Sequence, residues 1–146
     1  MNIQTQWIVG FVDGEGCFHI GINKNKEMSC GFQVLPEFVV VQHQNNIKVL
    51  YALKDYFRCG VVRVNHENLY CYRVRDFKHL REIIVPFFEK HELVTTKRID
   101  FAKFRTVLLM IEKKQHLDLQ GLEKIRSIQE TMNRKGKKSK IESSFL

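Results

Sequence analysis

The apolar positions at the start of the chain first follow a helical period and then change to strict alternation. Apolar residues recur with helical spacing from Thr5 to Asp13, and Gly14 and Gly16 end this pattern. From Cys17 onward every second residue is apolar, which predicts a strand with one buried face and one polar face. A short helix is therefore expected to lead into a strand.

The rest of the chain continues with strands and helices in turn. A second alternating run covers Gly31 to Gln42, and Pro36 within it predicts an irregularity or an edge position, because proline cannot donate to a strand ladder. The further predictions are a helix capped by Asn45 and ended by Gly60, strands over Val61–Val64 and Leu69–Val74, a helix capped by Asp76 and interrupted by Pro86, a long helix from Thr95 or Thr96, and a last helix over Gly121–Met132. Tyr56 and Ile99 are expected on buried helix faces.

This order, αββαββα with extra C-terminal helices, predicts an α+β fold with an antiparallel sheet. A chain of 146 residues buries one sizeable core, so we expect one domain over residues 1–133. Residues 134–146 are basic with little apolar content, which predicts a disordered tail.

The charge balance narrows the class of partner. Lysine and arginine total 24 against 16 acidic residues, a net charge of +8. An excess of this size favours a polyanion, with nucleic acid as the first candidate, although a basic protein of the ribosomal type has the same balance. No signal peptide or membrane-length apolar run is visible, so we expect a soluble protein inside a cell or organelle. The four cysteines lack zinc-ligand spacing and are expected to be reduced thiols.

The polar face of the predicted sheet carries hydrogen-bonding and cationic side chains. Such groups read base edges in a major groove, which is wide enough to admit a β-ribbon. An antiparallel sheet with one solvated face also has this pattern for purely structural reasons. The positions assigned to DNA binding are His19, Gly21, Asn23, Lys24, Lys26, Gln33, Glu37, Arg63, Asn65, Arg73 and Arg75.

Two carboxylates, Asp13 and Glu15, stand at the C-terminal end of the first helix. The helix dipole disfavours each of them by roughly 0.3 to 1 kcal/mol, so something should compensate. A divalent cation would do so, because Mg²⁺ takes oxygen ligands and is often held by only one or two protein carboxylates. Gly10 and Gly14 lie four residues apart, which would let a second helix approach this one closely.

The segment Ile8–Gly16 resembles the signature of the LAGLIDADG homing endonucleases, in the variant whose last acid is glutamate. The predicted element order resembles the family fold as well. The segments Leu93–Arg98 and Leu119–Ile125, followed by Met132 and Asn133, resemble further family patterns. Together these matches cover about residues 5 to 133.

The resemblance implies a saddle-shaped sheet that straddles double-stranded DNA. Since the sequence carries one motif, it implies a homodimer in which the motif helices form the interface and each subunit reads half of a long, roughly palindromic target. The implied activity is a staggered double-strand break by an enzyme that is intron-encoded and more often found in an organelle than in the cytoplasm. The implied interface residues are Trp7, Gly10, Phe11, Asp13 and Gly14. Asp13 is also assigned to hydrogen bonding at the helix end.

The resemblance also assigns the chemistry. Glu15, helped by the backbone carbonyl of Gly14, is implied to hold Mg²⁺ or Mn²⁺, with Ca²⁺ supporting binding without cleavage. Gln42 is implied to position water, and Lys97 to stabilise the transition-state phosphate, with Arg98 as its competitor. No membrane contact and no small-molecule cofactor are expected.

The sequence leaves some points open. Asn46 stands where some relatives carry arginine, which puts a second assisting cation in doubt. A relative that has lost cleavage, such as an RNA maturase, and a basic RNA-binding structural protein are the alternatives. The target sequence is not readable from the chain, partly because DNA bendability leaves no trace in the protein.

Overall fold

The computed structural model describes residues 3–133, and the predicted tail lies outside this range. The elements follow the predicted order. They are α1 (Thr5–Glu15), β1 (Gly16–Lys24), β2 (Phe32–His43), α2 (Ile47–Phe57), β3 (Val61–His66), β4 (Leu69–Val74), α3 (Phe77–His79), a π-helical segment (Leu80–Ile84), α4 (Val85–Lys90), α5 (Lys97–Glu112) and α6 (Leu119–Glu130). The α+β prediction is confirmed.

The four strands form one antiparallel sheet in the order β1-β2-β4-β3. β1 pairs with β2 without a break from Gly16 opposite Val40 to Lys24 opposite Phe32. Because β4 starts to pair with β2 only at Phe38, Pro36 has a neighbouring strand on one side only. The expected edge position is therefore confirmed: β2 is a central strand from Phe38 onward, but at Pro36 it pairs only with β1.

One face of the sheet packs against the helices through a cluster of aromatic rings. Phe18 of β1 lies at its centre, with ring centroids 5.2 to 5.5 Å from Phe38, Phe88, Phe101 and Phe104. Burying each such side chain stabilises the fold by about 1.5 to 3 kcal/mol. The cluster fixes α4 and α5 against the sheet, which leaves the opposite face open.

The predicted helix boundaries at α2 need correction. Asn45 does not cap the helix; its own N–H donates to Nδ1 of His43 at 3.1 Å. The helix ends at Phe57 because Arg58 adopts a left-handed conformation (φ 57°), two residues before Gly60 (φ 83°). Tyr56 is 39% exposed, so its predicted burial is wrong.

Pro86 does not interrupt its helix as expected. Asp76 caps the helix as predicted, accepting the N–H of His79 at 3.0 Å, and helical structure continues to Lys90. The π-helical segment ends at Ile84, and Pro86 falls in the first turn of α4, where its missing N–H has little cost.

Three further boundaries or faces differ from the predictions. β3 extends to His66, with a register shift between Val64 and His66, which shortens the predicted loop. Ile99 is 56% exposed. α6 starts at Leu119 rather than Gly121, because Asp118 caps it by accepting the Gly121 N–H at 2.7 Å.

Candidate active site and DNA-binding face

Glu15 lies where α1 passes directly into β1. It is the last residue of the helix, Gly16 is the first residue of the strand, and no loop separates the two elements. A Cβ atom at position 16 would lie 2.7 Å from Cγ1 of Val12 and 3.0 Å from its carbonyl oxygen, so the abrupt turn requires glycine. The Glu15 side chain is exposed at this junction.

Gln42 lies beside Glu15 because β2 extends past the start of β1. Nε2 of Gln42 donates to Oε2 of Glu15 at 3.3 Å, and Nδ2 of Asn46 donates to Oε1 of Gln42 at 3.5 Å. The two amides and the carboxylate therefore form a chain of hydrogen bonds. The sequence placed Gln42 near the site and did not predict its link to Asn46.

The carboxylate of Asp13 is occupied by hydrogen bonds within the chain. It accepts the N–H of Val94 at 2.9 Å, and the N–H and hydroxyl of Thr95 at 3.1 and 2.8 Å. Burial raises the pKa of Asp13, but these hydrogen bonds and the charge of Lys97 outweigh it and leave the pKa below its ordinary value. The compensation that the helix dipole requires at Asp13 thus comes from the chain itself.

The Lys97 side chain reaches the end of the sheet where Glu15 lies, and that of Arg98 does not. Nζ of Lys97 donates to the carbonyl of Gly16, the residue next to Glu15. Nη2 of Arg98 lies 3.9 Å from Oε2 of Glu92 on the helical side of the molecule. The geometry therefore favours Lys97 as the cation of the site.

The oxygen donors at this junction fit a hard divalent cation. The last four carbonyls of a helix lack partners within it, and that of Gly14 is among them, next to the exposed carboxylate of Glu15. Across residues 3–133, no three or more His, Cys, Asp or Glu side chains cluster as metal ligands. A cation bound here would have one protein carboxylate and one backbone carbonyl as ligands, and its remaining ligands would come from water or a bound partner. This arrangement is typical of Mg²⁺.

The open face of the sheet holds most of the residues predicted to bind DNA. Pairs across β1 and β2 on this face include His19 with Glu37 and Asn23 with Gln33. Arg73, the penultimate residue of β4, lies on the same face between Val39 and Val61. Alternation along their strands places Gly21 and Arg63 on this face, and Arg75 contacts Glu37 there. The exposed Asn65 lies at the register shift in β3.

Lys24 does not lie on this face. It pairs with Phe32, whose ring is covered by the Arg126 guanidinium at 5.1 Å from the centroid, so alternation places Lys24 on the helical side. Lys26 is exposed in the loop that joins β1 and β2. This loop is fastened to the C-terminal part of the chain, because the Ser29 hydroxyl donates to the carbonyl of Leu117 at 2.5 Å.

The face is also less polar than predicted. Leu35, Val39 and Val41 of β2 alternate onto it, and Cys71 of β4 lies opposite Val41. The signal was present in the sequence, since both faces of β2 are apolar from Phe38 to Val41. The open face therefore has an apolar patch on the two central strands, and polar or charged side chains surround this patch.

Three arginines and one glutamate form the charged part of the face. Nε of Arg75 donates to Oε2 of Glu37 at 2.7 Å. Burial, followed by the charges of Arg75 and Arg63, lowers the pKa of Arg73. The cluster has two positive charges in excess, so it favours an electronegative partner.

One side of α1, along Gly10 and Gly14, is open among residues 3–133. A Cβ atom built on Gly10 or Gly14 would meet nothing within 4 Å. Trp7 is 43% exposed and stacks on Phe11 with ring centroids 4.9 Å apart. A helix face that combines open glycines with exposed aromatic rings is suited to packing against another helix.

The model of the LAGLIDADG endonuclease family matches residues 8–108. The chain belongs to this family. A solved structure of the homing endonuclease I-TnaI is 52% identical to this LAGLIDADG protein, with a TM-score of 0.88 over 91% of this chain and 90% of that chain. The predicted family and fold are thus confirmed.

Two other relatives are longer than this LAGLIDADG chain. The structure of I-SmaMI bound to uncleaved DNA target in the presence of calcium ions is 29% identical, with a TM-score of 0.86 over 89% of this chain and 45% of that chain. A 50.9 kDa protein in ND4 intron 1 of Podospora anserina is 34% identical over 118 residues, and this chain covers 26% of its length. Among the helices described, none combines the length and the apolar character needed to cross a membrane.

Proposed function

We propose that the protein is an intron-encoded homing endonuclease that makes a staggered double-strand break in a long, roughly palindromic DNA target by metal-dependent hydrolysis. The observation that carries this proposal is the exposed Glu15 carboxylate at the junction of α1 and β1, with Gln42 and Lys97 beside it and the open sheet face next to it. An organelle is the proposed location, supported by the relative in an ND4 intron.

The residues have distinct roles in this proposal. Glu15 and the Gly14 carbonyl hold Mg²⁺ or Mn²⁺, while Ca²⁺ supports binding without cleavage. When bound, the cation supplies Lewis acidity for phosphodiester hydrolysis. Gln42 orients the Glu15 carboxylate and donates to water near it, and Lys97 exchanges its bond to Gly16 for the negative charge of the scissile phosphate.

The proposed assembly is a homodimer joined through α1. Its support is the open side of this helix, where Trp7, Gly10, Phe11 and Gly14 are free to meet a second copy. Asp13 contributes to this interface by fixing the end of the helix, since its carboxylate is occupied within the subunit. Two copies of the face would then read two half-sites.

The test is selection of duplexes from a random library by the full chain with Ca²⁺, followed by exchange to Mg²⁺. We expect one enriched, roughly palindromic site that is cut on both strands only after the exchange. A site that is bound and never cut would replace the nuclease with a binding or maturase role. No enriched duplex would contradict DNA as the partner.

Replacing Lys97 with methionine should reduce the cleavage rate by roughly 10²-fold, because a positioned charge is lost where negative charge develops. The matched control is Arg98→Met, which removes the neighbouring cation and should change the rate by less than about threefold, since its partner Glu92 lies away from the site. Single-turnover cleavage of the selected site measures both. A larger loss for Arg98→Met would reverse the assignment.

Replacing Gly10 with leucine should weaken the dimer by roughly 5- to 150-fold, because overpacking a helix contact costs roughly 1 to 3 kcal/mol. The subunit itself should stay folded, since the new side chain meets nothing within 4 Å. Sedimentation over a concentration series measures the dissociation constant, with the exposed helix position Ser127→Leu as control. Equal constants for both variants would exclude this face as the interface.

A further inference from the structure

We propose that Arg75, held in place by Glu37, reads a guanine in each half-site of the target. This inference rests on the proposed function and adds the identity of one base to it. It starts from the ion pair on the open face, in which Nε of Arg75 lies 2.7 Å from Oε2 of Glu37.

The ion pair fixes the guanidinium and leaves its outer end free. The Glu37 side chain is 18% exposed and that of Arg75 is 54% exposed, so the carboxylate is the inner partner. The bond uses Nε, and among residues 3–133 no other hydrogen bond involves the two terminal amino groups of Arg75. Two parallel N–H donors are thus available at the exposed end of a side chain whose position is already set.

Guanine is the base that fits such a pair of donors. Its O6 and N7 are adjacent acceptors at the major-groove edge, and arginine binds them with two hydrogen bonds. Holding Nε selects the end-on arrangement, in which both terminal amino groups face the base. Because the ion pair with Glu37 already restrains the Arg75 side chain, less of its conformational entropy is lost on binding.

The carboxylate also argues against a phosphate as the partner of Arg75. Glu37 neutralises the pair, and its negative charge would repel a phosphate brought close to it. The uncharged edge of a base has no such penalty. Arg63 and Arg73, which have no ion-pair partner among the described residues, are the cations better suited to phosphates.

The sheet also sets where the guanine lies. Gln42 marks the catalytic end of β2, and Glu37 lies five residues before it on the same strand. At about 3.3 Å per residue this separation is roughly 16 Å. With a rise of about 3.4 Å for each base pair, the guanine is expected about five base pairs outside the cleavage positions.

The experiment repeats the duplex selection with wild type, Arg75→Ala, Arg75→Lys and Arg81→Ala. Arg81 is a matched control, because its Nε also pairs with a carboxylate, Oε2 of Glu112 at 3.0 Å, away from the sheet. We expect wild type and Arg81→Ala to prefer guanine at one position in each half-site by roughly 5- to 150-fold in affinity. Arg75→Ala should lose this preference and keep the rest of the site, and Arg75→Lys should retain only a weaker preference, because lysine lacks the two-donor fork.

Other results would overturn the inference. If Arg75→Ala selects the same guanine as wild type, Arg75 does not read it. If the variant binds all sequences more weakly, with a shallower salt dependence and an unchanged preferred sequence, Arg75 contacts a phosphate. If wild type selects no duplex, the proposed function is wrong and this inference with it, whereas a selected and cut site without the guanine contradicts this inference alone.

Discussion

Replacing Glu15 with glutamine should abolish cleavage, with a loss of at least about 10³-fold in the single-turnover rate. The amide keeps the size of the side chain and can still meet Gln42, but it removes the one exposed carboxylate at the junction of α1 and β1. A metal ion contributes several kcal/mol to phosphodiester hydrolysis, and losing it changes the rate by roughly this factor. The measurement is cleavage of the selected site with Mg²⁺ and with Mn²⁺.

The control for this variant is Glu130→Gln, which removes one negative charge from the exposed C-terminal end of α6. It should cut at the wild-type rate. Without a metal, Glu15→Gln should bind the duplex at least as tightly as Glu130→Gln does, because it removes a negative charge close to the proposed position of the scissile phosphate. Cleavage by Glu15→Gln at a rate within tenfold of wild type would remove Glu15 from the proposed metal site.

Replacing Asp13 with alanine should lower the free energy of unfolding by about 3 kcal/mol, since hydrogen bonds to a charged group contribute roughly 1.5 to 3 kcal/mol each and are partly recovered by water. The variant leaves the N–H groups of Val94 and Thr95 without their acceptor. Lys97 follows two residues later, and its own N–H donates to the Thr95 hydroxyl, so cleavage should fall as well. Urea denaturation measures the stability.

The same carboxylate gives a pH dependence whose sign follows from its pKa. The folded-state pKa of Asp13 lies below its ordinary value of 3.8, so its contribution to stability is complete above that value and is lost as the pH falls through the folded-state pKa. Asp13→Asn, which keeps the shape, should therefore be less stable than wild type at neutral pH and approach it in acid. A stability difference that stays constant down to pH 2 would contradict this account.

Much of the fold was predictable because its signals are periodic and local. The alternation in β1 and β2 and the cap at Asp76 depend on neighbouring residues, and both predictions are confirmed. The wrong predictions depend on contacts and backbone geometry that helical spacing does not encode. Tyr56 has a helical spacing that suits burial, but its hydroxyl lies 3.0 Å from that of Thr5 at the surface, and Pro86 is tolerated because a π-helical segment precedes it.

Some features of the candidate site were likewise predictable from the sequence, and others were not. The motif pointed to Glu15 as the metal ligand, a role that stays a prediction. The face of Lys24 follows from the alternation in β1, which places it with Phe18, Ile20 and Ile22 on the helical side, so the periodic pattern itself argued against assigning it to DNA binding. The bond between Glu37 and Arg75 joins residues 38 positions apart, and no periodic pattern predicts such a pair.

Because α1 passes directly into β1, the helix and the strand are rigidly connected. The helix face with Gly10 and Gly14, the carboxylate of Glu15 and the strand with His19 lie on one uninterrupted stretch of backbone. A rotation of the helix should therefore be passed on to the strand, since no loop separates the two elements. In the proposed homodimer, altering the residues of β1 to change the recognised bases should consequently disturb the pairing of subunits and the cutting geometry together, whereas β3 and β4 can be redesigned with less effect on either.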